Sequence, residues 1–389
     1  MVDSDTAAAH GLRLARTVIT AQAVTQFGTW FSRIALAFAA LGTHSGVVLS
    51  AAVIAADSLP RALLGRRIGR LVRTTGARRA AVCGLLAEAV FSLASIAALH
   101  SSSVALIAVL IGRSLSSALY GVTFQAGLPQ LAGRGADLRR LNFISGLVNS
   151  LAVIAGPAVG AAFWASAGIT AVLVVDAVTS VLAAGIAWRA LGTVAWAAQR
   201  NSIVRHGDAS RKPLIFANAV AVVGGGLFNV VLPSYATVTL GLTVTESGLV
   251  FALFGSGAVL VTLLGSLIAR RLDTRVAVLV AFVLSAVSAA SLAIPLLPFV
   301  GLVVMGAGSA LRATSVVGFI QERTPDEHLP ATIGALQAST STGLAIGSLG
   351  GTAVAGVVSP HASIIVMAAV TVCALAFYLS SSARARSAE

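Results

Sequence analysis

The sequence predicts an all-α membrane protein with twelve transmembrane helices in two six-helix bundles related by an internal repeat. Apolar runs long enough to cross a bilayer recur about twelve times between Thr17 and Ser381, since a hydrocarbon core of ~30 Å takes about 20 residues at the helical rise. Every second gap between these runs carries arginines, whereas the intervening short gaps hold only Glu246. Two landmarks recur at one offset: Gly69 and Gly265 lie 196 residues apart, as do Pro129 and Pro325. A shared offset at independent positions marks an internal repeat.

Arg13 and Arg16 precede the first run, 17–42, and the second, 46–72, leads into the basic stretch Arg66 to Arg79. Runs 79–99 and 103–125 are followed by Arg134 to Arg140, and runs 138–165 and 168–190 by Arg189 to Lys212. The second half repeats this rhythm with 212–240 and 245–270 before Arg270 to Arg275, then 276–295 and 298–322 before Arg323. Runs 329–358 and 361–381 end at Arg384 and Arg386. Because Lys and Arg excess marks cytoplasmic loops, both termini are expected inside and the number of spans even. Residues 1–198 form the first bundle and 213–389 the second. Between them 199–212, with Arg200, Arg205, His206, Asp208 and Arg211, reads as a cytoplasmic linker.

Of 389 residues, 57% are hydrophobic and 10% charged, a balance no soluble domain of this length would tolerate on its surface. The formal charge of +13 sits in short loops beside apolar helices, so it reports topology and not nucleic-acid binding. Cys83 and Cys373 fall inside runs, which disfavours a disulfide or thiol metal site. All six histidines lie in termini or loops, and the only lysine, Lys212, follows no glycine-rich phosphate loop. Neither metal, cofactor, nucleotide nor enzymatic activity is expected. The first run is too long for a cleavable signal peptide, and a single lysine beside 25 arginines hints at a GC-rich bacterial source.

Polar residues within the runs sort by helical face. Gln22, Gln26, Thr29 and Arg33 follow steps of four, three and four, which place side chains on one side of a helix. Similar stripes are Arg113, Ser117 and Tyr120, then Asn142, Ser145 and Asn149, and also Ser309 and Arg312. Such stripes avoid lipid, so they either line a water-filled substrate path or join helices by hydrogen bonds worth about 1 kcal/mol each. The candidate substrate-binding residues are Gln22, Gln26, Thr29, Arg33, Tyr120, Asn149 and Arg312.

A charge at mid-depth costs roughly 2.5–3.5 kcal/mol, so the ionisable groups there carry information. Asp57 lies near the middle of its run, with Arg61 one turn on. It is either half of an intrahelical pair or a proton-binding carboxylate, whose proton affinity burial and an arginine pull in opposite directions. Glu88 and Asp176 read as structural partners for arginines. Arg33, Arg113 and Arg312 facing water together would favour an anionic solute, whereas neutralised by Asp57, Glu88 and Asp176 they would admit a neutral or cationic one. Glycines at four-residue spacing, Gly156 and Gly160, and Gly347 and Gly351, let helices approach closely.

The chain resembles the major facilitator superfamily over essentially its whole length, and more narrowly its drug, macrolide and siderophore exporter branch. The likeness is carried by Gly28-Thr29-Trp30, Leu59-Pro60-Arg61, the loop from Gly69 through Leu71, Gly76, Arg78 and Arg79, and Arg113. It continues in Leu128-Pro129-Gln130, Gly156-Pro157 with Gly160, and Gln321-Glu322. The resemblance implies gating roles for Gly69, Arg73, Gly76, Arg78, Gly265 and Arg271, helix packing at Gly156, Pro157 and Gly160, and a role for Arg113 in tuning a carboxylate's proton affinity, so that Arg113 joins Asp57 and Arg61, read from their depth, as the candidate proton-coupling residues. Arg73 stands where the family's loop has a gating aspartate, and Ala152 and Phe143 stand where its antiporter motif has glycine.

The function expected is therefore alternating-access export of a small drug-like or siderophore-like solute by proton antiport. A proton-coupled nutrient symporter is the alternative, and a non-transporting receptor or scaffold the distant one. The partners are the solute, protons and the lipid bilayer. The protein is expected to act as a monomer, multi-pass in the inner or plasma membrane.

Overall fold

A computed structural model describes the backbone of residues 2–41, 46–192, 194, 211–242, 247–269, 271–292, 294, 297–355 and 359–386. Among these residues every regular element is helical. The elements are α1 (Val2–Leu41), α2 (Gly46–Thr75), α3 (Ala77–Ser101), α4 (Ser103–Ala132), α5 (Ala136–Ala190), α6 (Arg211–Ser234), α7 (Ser247–Ile268), α8 (Thr274–Ser291), α9 (Pro298–Arg323), α10 (Leu329–Ala355) and α11 (Pro360–Arg386). Seven helical segments among the described residues are long and apolar enough to cross a membrane.

Three departures from the expected runs have local causes. Helix α1 starts at Val2, well before Thr17, because the intervening Ala-rich stretch contains no proline to stop it. Helix α5 would extend about 80 Å at 1.5 Å per residue, far beyond a bilayer core. Gly168, at φ 80°, breaks it between the expected runs 138–165 and 168–190, a left-handed conformation that glycine adopts without Cβ strain. The run expected over 212–240 is α-helical only to Ser234 and then widens into a π-helical turn, Tyr235–Thr239. Pro233, just before it, has no N–H to give the ladder, and the Tyr235 hydroxyl donates to Leu292 O at 2.6 Å.

Helix ends are closed by side chains where the loops are short. Ser102 caps α4 by accepting from Ala105 N at 3.1 Å, and Asp273 caps α8 by accepting from Arg275 N at 2.7 Å. Gly76 begins α3 at φ 86°.

The chain divides into two compact units. The first comprises Met1–Arg200 with Thr324–Ala338, and the second Asn201–Arg323 with Ser339–Glu389. In the first unit, α1 runs between the two segments of α5 at contacts made by small residues. A Cβ on Gly156 would sit 2.7 Å from Trp30 Cβ, and one on Gly160 would overlap the Phe31 carbonyl. One on Gly28 would lie 3.0 Å from Asp176 Oδ1 and would overlap Thr179. Phe31 and Val172 are buried beside this crossing, with Leu36, Leu106, Leu110 and Leu173 in an adjoining core.

In the second unit the packing of α6 on α10 is equally close. A Cβ on Gly347 would reach Gly226 Cα at 2.9 Å, and one on Gly351 would reach Leu227 Cα at 3.2 Å. The core gathers Phe228, Val231, Leu232, Tyr235, Leu302, Met305, Ile364 and Met367.

Helix α8 shows which way these helices face. Val276, Leu279, Val280, Val283 and Val287 are exposed, while Val278 and Phe282 are buried together with Ala277, Ala281, Ser285, Ala286, Ser288 and Ala289. An outer face made of branched apolar residues, with mostly small residues on the inner one, inverts the soluble pattern, as expected where the surroundings are lipid.

Candidate functional site: a buried charge network and a second buried arginine

Arg113 of α4 is the centre of the first unit's polar interior. Its Nη2 lies 2.5 Å from Asp176 Oδ2 of α5 and 3.7 Å from Glu88 Oε1 of α3, and it donates to Ser32 Oγ of α1 at 3.0 Å. Ser92 Oγ of α3 donates to Asp176 Oδ2 at 2.6 Å, and Thr29 Oγ1 of α1 donates to Glu88 Oε1 at 3.3 Å. One guanidinium thus joins four helices. Glu88 and Asp176 are 1% and 0% exposed, so water supplies none of their solvation, and charge-assisted hydrogen bonds must replace it. The replacement is incomplete, because Glu88 Oε2 and Asp176 Oδ1 are buried without a hydrogen-bond partner.

Glycine makes the network possible. With no side chain at Gly28, α1 approaches Asp176 and Thr179 directly, which brings Ser32, one turn along α1, beside the Arg113 guanidinium.

The expected α1 stripe is half-buried along its length. Two members reach neighbouring helices: Gln22 Oε1 accepts from Ser145 Oγ of α5 at 2.7 Å, and Thr29 contacts Glu88. Arg33 stacks its guanidinium over Trp30 at 4.8 Å from the ring centroid. Tyr120 is buried, with its hydroxyl accepting from Thr25 Oγ1 at 3.4 Å. Gln26 and Arg61 are half-buried, Asn142 is buried and Asn149 is exposed. Asp57 lies within α2, but its side chain falls outside the described residues, as does that of Pro157.

In the second unit Arg312 of α9 is 9% exposed. Its Nη1 donates to Asn218 Oδ1 of α6 at 2.5 Å, and Asn218 Nδ2 donates to Thr340 Oγ1 of α10 at 3.1 Å.

The residues with expected gating roles are placed as follows. Within the first unit, a Cβ on Gly69 would fall 2.8 Å from Ala331 Cα, and one on Gly65 would fall 2.6 Å from Gly334 O. Arg73, Arg271 and Gly265 lie respectively at the exposed end of α2, in the exposed turn before α8, and buried in α7. Arg78 stacks over Trp188 at 4.8 Å and fills the space beside Gly192. Arg134 bonds Asp326 at 2.5 Å and Thr324 O at 2.8 Å. That pair is 41% exposed on both sides and contributes about 0–1 kcal/mol.

Sequence reasoning did not assemble Ser32, Ser92, Asn218 and Thr340 into these sites. One usable signal was charge matching at mid-depth, where Arg33, Arg61 and Arg113 of the first half equal Asp57, Glu88 and Asp176 in number. Among the described residues no group of three or more His, Cys, Asp or Glu could hold a metal ion.

Residues 214–389 match the family model of the Major Facilitator Superfamily. No curated protein matches the sequence. Among solved structures the chain is similar to a bacterial homologue of the iron transporter ferroportin in an outward-facing state with soaked iron. The TM-score is 0.80 at 14% identity, covering 95% of this chain and 99% of that one. It is also similar to the human organic anion transporter MFSD10 (TETRAN), with a TM-score of 0.70 at 16% identity, covering 96% of this chain and 98% of that one. Likeness at these identities is likeness of fold, and it extends along nearly the whole chain. Both comparisons point to a transporter and not to an enzyme. The chain is an all-α, multi-pass membrane protein with a transporter fold, and its match to the Major Facilitator Superfamily lies in residues 214–389.

Proposed function

We propose that this protein is a secondary active transporter that exports a small organic solute by alternating access, with proton antiport as the driving reaction. In this reading twelve spans form two six-helix bundles, residues 1–198 and 213–389, with both termini cytoplasmic in a bacterial cell membrane. The observation that carries the proposal is the Arg113 network: two carboxylates buried among apolar helices share one guanidinium. Intramembrane ionisable groups of this kind are costly and mark ion or proton pathways. Asp176 takes the close contact with Arg113 at 2.5 Å, whereas Glu88 lies 3.7 Å from the same nitrogen. Glu88 therefore joins Asp57 as a candidate for the coupling proton, with Arg61 and Arg113 tuning both.

Everted membrane vesicles loaded by a pH gradient test this. Wild-type vesicles should accumulate substrates from a panel of antibiotics and siderophores, and collapse of the gradient should abolish accumulation. Glu88→Gln or Asp57→Asn, whichever removes the proton carrier, should abolish uphill accumulation while leaving solute exchange between the two sides intact. Accumulation indifferent to the gradient would refute proton antiport, and full coupling in both variants would remove both carboxylates from it.

The α1 stripe supplies the solute contacts in this reading, with Arg33 binding an acidic or carbonyl-bearing group and Gln26 orienting it. Arg33→Ala should leave membrane abundance unchanged and weaken solute affinity, because deleting a mid-membrane charge eases insertion. Lost abundance with unchanged affinity per molecule would make Arg33 structural instead.

A further inference from the structure

Arg312 is the one charged residue in the interior of the apolar runs of the second half. Among the described residues no carboxylate pairs with it, in contrast to Arg113. Its hydrogen bond goes to the neutral amide oxygen of Asn218, and its Nε is buried without an acceptor. Asn218 cannot turn away, because its Nδ2 is engaged by Thr340 Oγ1. Three residues further along α9, the Ser315 hydroxyl is likewise buried without a partner. Two donors on one helix, one of them cationic, thus lack acceptors in a region where water is scarce. Burying a guanidinium with only a neutral partner is unfavourable, and the missing acceptor must carry negative charge to offset it.

We infer that Arg312 is the attachment point for an anionic group of the transported solute: a carboxylate, sulfonate or phosphate. The guanidinium supplies charge and forked N–H donors suited to such groups, Asn218 and Thr340 hold its orientation, and Ser315 supplies a further donor. This inference rests on the transporter reading above and names its substrate class as organic anions.

The test compares wild type with Arg312→Gln in nanodiscs of phosphatidylcholine, a lipid without net charge that removes anionic lipid as a source of the acceptor. Thermal unfolding is followed with benzoate and benzenesulfonate, with their neutral counterparts benzamide and benzenesulfonamide, and with inorganic phosphate. Wild type should be stabilised by the organic anions and not by the neutral compounds. Arg312→Gln should lose this response by at least tenfold in apparent affinity. Without ligand, Arg312→Gln should melt at or above the wild-type temperature, because an unmatched buried charge is gone.

Equal responses in both proteins, or equal stabilisation by the neutral compounds, would overturn the inference. So would a response to inorganic phosphate alone, or no response to any anion. A ligand-free melting point well below wild type would identify Arg312 as a structural strut and overturn it as well. A second variant, Arg312→Lys, keeps the charge without the fork, and it should still respond to the anions with weakened affinity. An anion response in a protein that transports nothing would sink the transporter reading alone. Gradient-driven transport without any anion response would sink only this assignment.

Discussion

Arg113→Ala is expected to lower the amount of folded protein in the membrane severely and to depress its melting temperature in detergent. The guanidinium is the counter-charge within 4 Å for both Asp176 and Glu88, and each carboxylate is essentially without solvent. Removing one partner of a buried pair costs about 3–5 kcal/mol, because the group left behind keeps its desolvation penalty and loses its compensation. That is a large share of the ~5–15 kcal/mol that separates folded from unfolded states in most proteins. Arg113→Lys should fall between, since an ammonium keeps the charge but its shorter side chain does not carry it to the place of Nη2, the atom that meets both Ser32 and Asp176.

Replacing Arg113, Asp176 and Glu88 together by leucine should restore folding, because a well-packed apolar cluster often equals or exceeds a buried ion pair in stability. The same triple variant should have no gradient-driven transport. Size-exclusion profiles and melting curves of the three proteins check the energetic part, and vesicle accumulation checks the functional part. A single alanine variant with wild-type abundance and melting would show that the network bears no structural load.

The network was only half legible in the sequence, for a physical reason. Hydropathy places a residue along the membrane normal, and Arg113, Glu88 and Asp176 could all be assigned intramembrane depth from their position in apolar runs. Which of them meet depends on the rotation of each helix about its axis. That rotation is set by contacts between small residues, and a hydropathy pattern carries almost no signal for it. The long elements were easiest to read: the run expected at 298–322 coincides with α9, Pro298–Arg323, because proline starts it and a charged pair ends it. The break at Gly168 was also legible, since a continuous helix would far exceed the bilayer. Gly28 was noted only as part of a motif, although its missing side chain is what admits Asp176 to the site. Arg312 was placed in a polar stripe with Ser309, but its dependence on Asn218, 94 residues away in the chain, could be seen only once α6 and α9 were side by side.

Gly160→Val is expected to separate α1 from α5 and, through them, to dismantle the Arg113 network from a distance. A Cβ at this position would overlap the Phe31 carbonyl oxygen and lie 3.0 Å from its carbon and 3.2 Å from Phe31 Cα. All three are backbone atoms that cannot rotate out of the way, so the helices must move apart. Overpacking of this kind costs about 1–3 kcal/mol and occasionally more, and the two Cγ methyls of β-branched valine add to the displacement that a single Cβ would cause. Ser32 rides on α1 and Asp176 on α5, so the displacement lengthens the contacts that hold Arg113.

Gly28→Ala should be milder for folding, since the two nearest atoms it meets, Thr179 Oγ1 and Asp176 Oδ1, belong to side chains that can turn, and the third, Thr179 Cβ, lies at 3.2 Å. For transport it should be nearly as damaging, because Asp176 is one of those side chains. Gly185→Ala supplies the opposite sign. No atom lies within 4 Å of a Cβ there, so the substitution should be neutral or stabilise α5 by about 0.5–1 kcal/mol through reduced backbone freedom. Melting temperatures should therefore rank Gly185→Ala at or above wild type, then Gly28→Ala, then Gly160→Val. If Gly160→Val melts with wild type, the crossing of α1 and α5 is looser than their backbone contact implies, and the Arg113 site does not depend on it.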